Sequence, residues 1–236
     1  MKLHRFIGNF DLQKQEIEIK DNKIIKQIKD VLELKVDDLV ILGDGRGQSA
    51  KVRLDKIYQE KITGQVLEVH TEKEIAKKVH LYLAILKKEN FELAAQKAVE
   101  CGVSSITPII TERTIKTGLN LPRLEKIILE ASEQCGQNFT PTISPILNFE
   151  DTLKKAEGEK IIFHPGAKEY IPDPEKNGAG KNAKNVSIFI GPEGGFTERE
   201  IELAKDCGFS VASLGSLILT GVTAAIVATY RAVHGI

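Results

Sequence analysis

The chain has little of what marks secreted, membrane-bound or metal-dependent proteins. No apolar run approaches the ~20 residues that span a bilayer. The charged start Met1-Lys2-Leu3-His4-Arg5 is not followed by an apolar stretch of the signal-peptide kind, so a cytoplasmic protein is expected. Cysteine is scarce: Cys101, Cys135 and Cys207 are odd in number and far apart, with no Cys-x-x-Cys pair and no local histidine partner. That pattern supports neither a disulfide framework nor a zinc site, and buried, inert thiols are the expectation. An excess of one charge is also lacking. The 33 Lys and Arg balance 33 Asp and Glu, and a net charge of zero argues against gripping naked nucleic acid through bulk electrostatics.

The usual catalytic signatures are missing as well. There is no Gly-x-x-x-x-Gly-Lys-Ser/Thr phosphate loop and no Gly-x-Ser-x-Gly hydrolase elbow. The Gly-x-Gly pairs, Gly43 to Gly47 and Gly178 to Gly180, sit in turn-like segments without the helix a dinucleotide fingerprint needs. His4, His70, His80, His164 and His234 show no metal-ligand spacing, and at least four of the five read as surface or packing histidines; no metal is expected. Covalent, metal and phosphate-cradle chemistries are therefore disfavoured.

What is present is a ten-residue stretch, Gly191-Pro192-Glu193-Gly194-Gly195-Phe196-Thr197-Glu198-Arg199-Glu200. It follows the apolar run Val186 to Ile190, a buried strand by pattern, and closes with Thr197-x-x-Glu200, a capping box that opens a helix. Strand, glycine-rich bend and helix in succession build a site from bare main chain, with Pro192 stiffening the bend. Glu193 either orients a ligand or braces the loop through backbone N–H groups.

At 236 residues the chain has room for one large domain, or for a medium and a small one, and 42% hydrophobic with 28% charged residues is an ordinary globular balance. Its character changes near residue 70. Before that point Glu16 to Ile19 alternates at period two, Leu39 to Leu42 is a compact apolar run, and Gly43 to Gly47 is a hairpin-type turn. One amphipathic helix, Ile24 to Leu34, carries Ile24, Ile28, Val31 and Leu32 on a stripe. Residues 1–70 thus form a small β-rich domain, and the charged Thr71 to Lys78 is the linker. Over 75–236 strands alternate with helices: Val79–Leu86, helix Asn90–Glu100, Ile106–Ile110, helix Leu121–Cys135, Lys160–Phe163 and Val186–Ile190. That order requires crossovers and predicts an α/β domain with a largely parallel sheet. Pro172 to Asn182 is a polar breaker cluster, expected as a mobile surface loop.

Several segments together resemble the family of 16S ribosomal RNA (uracil-N3) methyltransferases, of the SPOUT superfamily. They are Ile190 to Thr197, Glu130 to Gly136, Gln96 to Val103, Leu214-Gly215 and Thr223-Ala224-Ala225, in the family's order and over essentially the whole chain. The resemblance implies a PUA-like N-terminal β-barrel that binds RNA and a C-terminal α/β domain tied into a trefoil knot, a topology that physical priors alone would reject. It implies a homodimer that binds S-adenosylmethionine in the knot and methylates N3 of a uridine in the decoding region of the assembled small ribosomal subunit. Carried onto this chain, the cofactor would lie against His164, Pro165 and Gly166; against Ile190, Gly191, Pro192, Glu193, Gly194 and Gly195; and against Leu214, Gly215, Ile218 and Leu219. Arg5, Lys97, Arg113 and Lys116 are the candidate RNA contacts; no residue is assigned as the proton acceptor.

The chain departs from the family's pattern in one loop. Where that pattern reads Leu-Gly-x-Arg-Ile-Leu-Arg-x-Glu-Thr-Ala, Leu217, Thr220 and Val222 replace two arginines and a glutamate. Glu33 and Gln137 stand for arginines and Gln27 for a histidine. A second reading stays open on these positions: a relative that binds cofactor or RNA without turnover.

Overall fold

A computed structural model of the chain describes residues 3–73, 77–87, 89–171 and 185–235. It divides into two compact units, one of residues 1–74 with 132–140 and one of residues 75–131 with 141–236. The Pro172 to Asn182 cluster and part of the Thr71 to Lys78 linker lie outside the described residues.

The first unit holds β1 (His4–Ile7), β2 (Glu16–Ile19), α1 (Asn22–Lys26), β3 (Leu39–Gly43), β4 (Gln48–Ile57) and β5 (Ile62–Thr71). The strands pair in the order β1-β3-β4-β5-β2, antiparallel except for β1 on β3. Period-two alternation does what it should: Ile17 and Ile19 point inward to join Phe6, Val40, Leu42, Val52, Leu54 and Ile62 in one core, while Glu16 and Glu18 face solvent. Asp21 caps α1 by accepting from the Lys23 N–H at 2.7 Å and the Ile24 N–H at 3.3 Å.

The expected stripe on this helix fails at Val31, which is 69% exposed, whereas Ile25 is buried. Residues 27–31 form a π turn in which the Leu32 N–H bonds the Gln27 carbonyl at 2.9 Å. An i→i+5 turn widens the helix, so a 3.6-residue period no longer tracks its buried face.

Residues 132–140, expected within the second domain, cluster with this first unit. The Gly47 N–H bonds the Asn138 carbonyl and the Thr140 N–H bonds the Gly45 carbonyl, both at 3.0 Å. The Ile7 N–H donates to Glu133 Oε1 at 2.8 Å, and Asn138 Nδ2 donates to Glu72 Oε2 at 2.7 Å.

The second unit contains β6 (Val79–Ala84), α2 (Asn90–Glu100), β7 (Ser105–Ile110), α3 (Leu121–Cys135, whose last turn counts with the first unit), β8 (Thr142–Ile143), β9 (Leu147–Asn148) and α4 (Phe149–Lys155). It continues with β10 (Glu159–Phe163), β11 (Val186–Ile190), α5 (Glu198–Asp206), β12 (Ser210–Ala212) and α6 (Gly221–His234). All its ladders are parallel, in the order β12-β10-β11-β6-β7-β8, with β9 also on β7. The apolar runs are continuous because both faces of the sheet are covered. Val186, Ile188 and Ile190 of β11 face a core shared with Phe91, Leu124, Ile128 and Ala228 of α2, α3 and α6. Phe189 faces the opposite core with Phe149, Leu153, Ile201 and Ala204 of α4 and α5, and stacks on Tyr82 at 4.2 Å. The sheet does not grow outward in chain order. From β8 and β9 the chain crosses to β10, returns to insert β11 between β10 and β6, and passes to the far edge at β12.

The three cysteines are not buried as their pattern predicts. Cys135 is exposed and Cys101 and Cys207 are half-buried; all three are free thiols. Each sits where a helix ends, at the C-caps of α2 and α5 and the last residue of α3, so each lies where the chain is leaving the core.

Candidate active site

In an open parallel sheet, ligands bind beyond the carboxyl ends of the strands. Here the loops leaving the neighbouring strands β10, β11 and β12 meet around one cavity of about 470 Å³. Its lining includes His164 and Pro165 after β10, Ile190 to Phe196 after β11, and Ser213 to Gly215 with Leu217 to Gly221 after β12. Of the residues expected to contact cofactor, all but Gly166 line this cavity. The sequence reading missed Phe163, Phe196, Ser213, Gly221 and Ala224 as lining residues, and gave the lining residues Leu217 and Thr220 no cofactor contact. Phe163, Phe196 and Ser213 are chain neighbours of expected positions, and Gly221 and Ala224 lie on α6, whose Thr220-x-x-Thr223 start was a legible capping signal.

The β11 loop is held from several sides. The capping box forms as expected: the Glu200 N–H donates to Thr197 Oγ1 at 3.2 Å, and the Thr197 N–H donates to Glu200 Oε2 at 2.8 Å. The Glu200 carboxylate is only 2% exposed, and its Oε1 accepts the Glu112 N–H at 2.9 Å from the segment after β7. Glu193 braces the loop on its other side, accepting the Lys87 N–H at 2.9 Å. Gly195 adopts φ 69°, the left-handed region glycine takes without strain, and its N–H closes the bend on the Pro192 carbonyl at 2.9 Å.

The β12 loop is a different kind of wall. Leu217 and Ile218 are 79% and 83% exposed on the rim of the cavity. Thr220, where the family pattern has an arginine, caps α6: its Oγ1 accepts the Thr223 N–H at 3.4 Å and lies 3.1 Å from Thr223 Oγ1. Gly221 and Ala224 bring the positive end of a fourteen-residue helix to the cavity, while the Thr223 and Ala224 N–H groups of that first turn are taken by the Thr220 hydroxyl and carbonyl.

Among the described lining residues Arg113 is the only lysine or arginine, and His164 and Glu193 are the other ionisable side chains. Arg113 Nη1 donates to the Gly194 carbonyl at 2.7 Å and the Phe196 carbonyl at 3.4 Å. A Cβ on Gly194 would stand 3.3 Å from the Arg113 stem, so the missing side chain lets that stem lie against the loop. His164 Nδ1 is buried with no hydrogen-bond partner among the described residues, which leaves a polar position for a ligand to satisfy.

The other three cations expected to meet RNA are differently placed. Arg5 is half-buried in the first unit, where it donates to Asn138 Oδ1 and where burial lowers its pKa from the usual arginine range. Lys97 is tied to Glu100 at 2.8 Å. Lys116 is exposed, three residues beyond Arg113. Among the described residues no cluster of His, Cys, Asp and Glu could hold a metal ion, and no helix is long and apolar enough to cross a membrane.

The sequence model for the RNA methyltransferase domain matches residues 73–232. The chain is 30% identical over 230 residues to ribosomal RNA small subunit methyltransferase E of Rickettsia conorii, a match that covers 97% of this chain and 94% of that protein. It is 40% identical over 156 residues to the protein of the same name from Mesomycoplasma hyopneumoniae, covering 63% of this chain and 66% of that one. In structure it resembles ribosomal RNA small subunit methyltransferase E from Neisseria gonorrhoeae bound to S-adenosyl methionine, with a TM-score of 0.85, 28% identity, and coverage of 97% and 95% of the two chains.

Proposed function

The chain belongs to the RNA methyltransferase family, and on that premise we propose that it uses S-adenosylmethionine to methylate N3 of a uridine in the decoding region of 16S rRNA, acting on the assembled small subunit. The observation that carries the reading is the single cavity bounded by the loops after three adjacent parallel strands. Its volume of about 470 Å³ lies in the range of small-molecule sites.

The residues fit this cofactor. Ile190, Leu214, Ile218 and Leu219 offer apolar faces to an adenine ring, while the main chain of Gly191 to Gly195 and the unpartnered His164 Nδ1 offer polar contacts. No phosphate cradle is needed for a sulfonium. When bound, the cofactor supplies an electrophilic methyl group. The chain's own work is to hold the two reactants in line, to exclude water with the apolar lining, and to favour loss of the N3 proton. The target base must be flipped out or unpaired to reach the cavity.

With this reading go the finer features that the family resemblance implies. The β11 insertion between β10 and β6 belongs to a trefoil knot, the five-stranded sheet of the first unit is a PUA-like barrel that contacts RNA, and the enzyme is a cytoplasmic homodimer. Arg113, at the cavity, and Lys116, three residues further along the segment after β7, are the RNA contacts; Arg5 and Lys97 serve structure.

Small subunits lacking the modification, incubated with the protein and radiolabelled S-adenosylmethionine, should acquire label that maps to one uridine of the decoding region. Cofactor binding without transfer would select the second reading, a binding protein without turnover, which the exposed, cation-free Leu217–Ile218 rim favours. Sedimentation equilibrium giving a monomer would remove the dimer.

A further inference from the structure

Methylating N3 of uracil requires that an imide proton leave at neutral pH, and the resulting negative charge spreads onto the two flanking carbonyl oxygens. A fixed cation next to those oxygens lowers the barrier, because it is organised before the charge appears. Among the ionisable side chains of the described residues that line the cavity, only one suits this role. Glu193 is an acid and already accepts the Lys87 N–H. His164 belongs to the loop that faces cofactor. Arg113 is a permanent cation whose guanidinium offers five N–H donors.

Arg113 is exposed, and three sets of contacts position its backbone and stem. Its turn is closed by one side-chain and one backbone bond: the Thr111 N–H donates to Thr114 Oγ1 at 2.9 Å, and the Thr114 N–H returns to the Thr111 carbonyl at 3.1 Å. Its neighbour Glu112 is fixed from both ends, by its N–H on the buried Glu200 and by its carboxylate on Arg199 at 2.9 Å. Its own stem rests on the bare Cα of Gly194, and both of its hydrogen bonds use Nη1. Nη2 and Nε are left without partners among the described residues, so the group is anchored by one arm and open on the other.

We propose that Arg113 is a catalytic residue: its unengaged guanidinium N–H groups bind a carbonyl oxygen of the target uracil and stabilise the imide anion from which methyl transfer occurs. The N3 proton passes to solvent hydroxide. The N3 electron pair then forms the N–C bond as the C–S bond breaks, and its electrons stay on sulfur as a neutral thioether. The proposal rests on the uracil-N3 reading above and adds to it the group that acts on the base.

The test compares the parent with Arg113→Lys, Arg113→Gln and Gly194→Ala in single-turnover methyl transfer to unmodified small subunits over pH 6.5 to 9.5, with calorimetric S-adenosylmethionine binding measured in parallel. Arg113→Gln should slow transfer about 100-fold or more at pH 7, the scale seen when one anion-stabilising donor is removed. Its cofactor affinity should stay within about threefold, and the deficit should shrink as pH rises, because a base that ionises in solution needs less help. Arg113→Lys should recover part of the rate. Gly194→Ala keeps the cation but displaces its stem, and should cost about tenfold. A deficit independent of pH, or one confined to cofactor affinity, makes Arg113 a loop clamp and overturns the proposal. If the parent itself transfers no methyl while binding cofactor, the uracil-N3 reading has failed and takes this inference with it; an active parent with an equally active Arg113→Gln overturns this inference alone.

Discussion

The two loops that face each other across the cavity are built on opposite principles. The β11 loop, 190–200, is over-determined: Glu193 ties it to Lys87, Arg113 holds two of its carbonyls, and the capping box with the buried Glu200 joins it to Glu112. The β12 loop, 213–220, has few ties among the described residues. Its base is pinned where the Ser213 N–H meets the Lys168 carbonyl and the Tyr170 N–H meets the Ser213 carbonyl, each at 2.9 Å, and its end is the Thr220 cap. Between them Leu217 and Ile218 stand in solvent. A site with one fixed and one loosely tied wall can hold a small cofactor against the first and admit a bulky substrate past the second. Stability should therefore be concentrated in the first wall and tolerance in the second.

The sharpest way to break that contrast is Glu200→Ala. The buried carboxylate satisfies the Glu112 and Thr197 N–H groups and completes the cap, so its removal orphans two donors at once. We expect a loss of about 3 kcal/mol in urea unfolding, from two unsatisfied buried N–H groups and a weakened helix start. Glu200→Gln, which keeps one acceptor oxygen, should lose about half as much. A loss below ~1 kcal/mol would mean that water replaces these bonds and that the wall is not over-determined.

Why the first wall was legible and the second was not follows from the kind of signal each leaves. The β11 loop is written in local chemistry: a five-residue apolar run, a proline-glycine bend and Thr197-x-x-Glu200, each of which acts within a few positions. The strand Val186–Ile190 and the helices Asn90–Glu100 and Leu121–Cys135 begin and end where their patterns do, for the same reason. The Arg113 anchor leaves no such trace, since Arg113 and Gly194 are distant in sequence and meet only because β7 and β11 flank β6 in one sheet. Residues 132–140 clustering with the first unit is equally non-local, set by backbone bonds to Gly45 and Gly47. The π turn at 27–31 was hidden because hydrophobic spacing presupposes a regular helix. Thr220 stands where the family pattern has an arginine, and its local Thr220-x-x-Thr223 spacing carries the α6 cap instead.

A smaller effect probes the base of the loosely tied wall. Burial, reinforced by Glu159 and opposed by Arg231, pushes the Tyr170 phenol up to about 12 from its usual 10.0. The sign follows from linkage: above pH 10 the unfolded chain loses this proton while the folded one keeps it, so stability is present below pH 10 and is lost between pH 10 and 12. After solvent screening the loss should be roughly 1–2 kcal/mol. Tyr170→Phe, which also deletes a buried hydroxyl with no hydrogen-bond partner among the described residues, should lack this component while matching or exceeding the parent at pH 8. The readout is the difference between the two urea midpoints at pH 8 and pH 11.5; a constant difference would refute the assignment.

The smallest effects lie within the β12 loop itself, and they decide how its departure from the family pattern should be tested. Thr220→Ala removes the α6 cap and should cost about 1 kcal/mol. Leu217→Ser alters a side chain that is 79% exposed and should change stability by less than ~0.5 kcal/mol. Returning the family's arginines is therefore not one experiment. Thr220→Arg restores a charge but loses the cap, so its effect on methyl transfer is confounded by a loosened helix start at the cavity. Leu217→Arg adds the same charge on the rim with nothing to lose. If the loosely tied wall is where the RNA backbone passes, Leu217→Arg should raise kcat/KM for unmodified small subunits severalfold at low salt, with a gain that fades as salt screens it, and leave cofactor affinity unchanged. An unchanged or lower kcat/KM would mean that the RNA does not approach over Leu217 and that the two walls do not divide their work in this way.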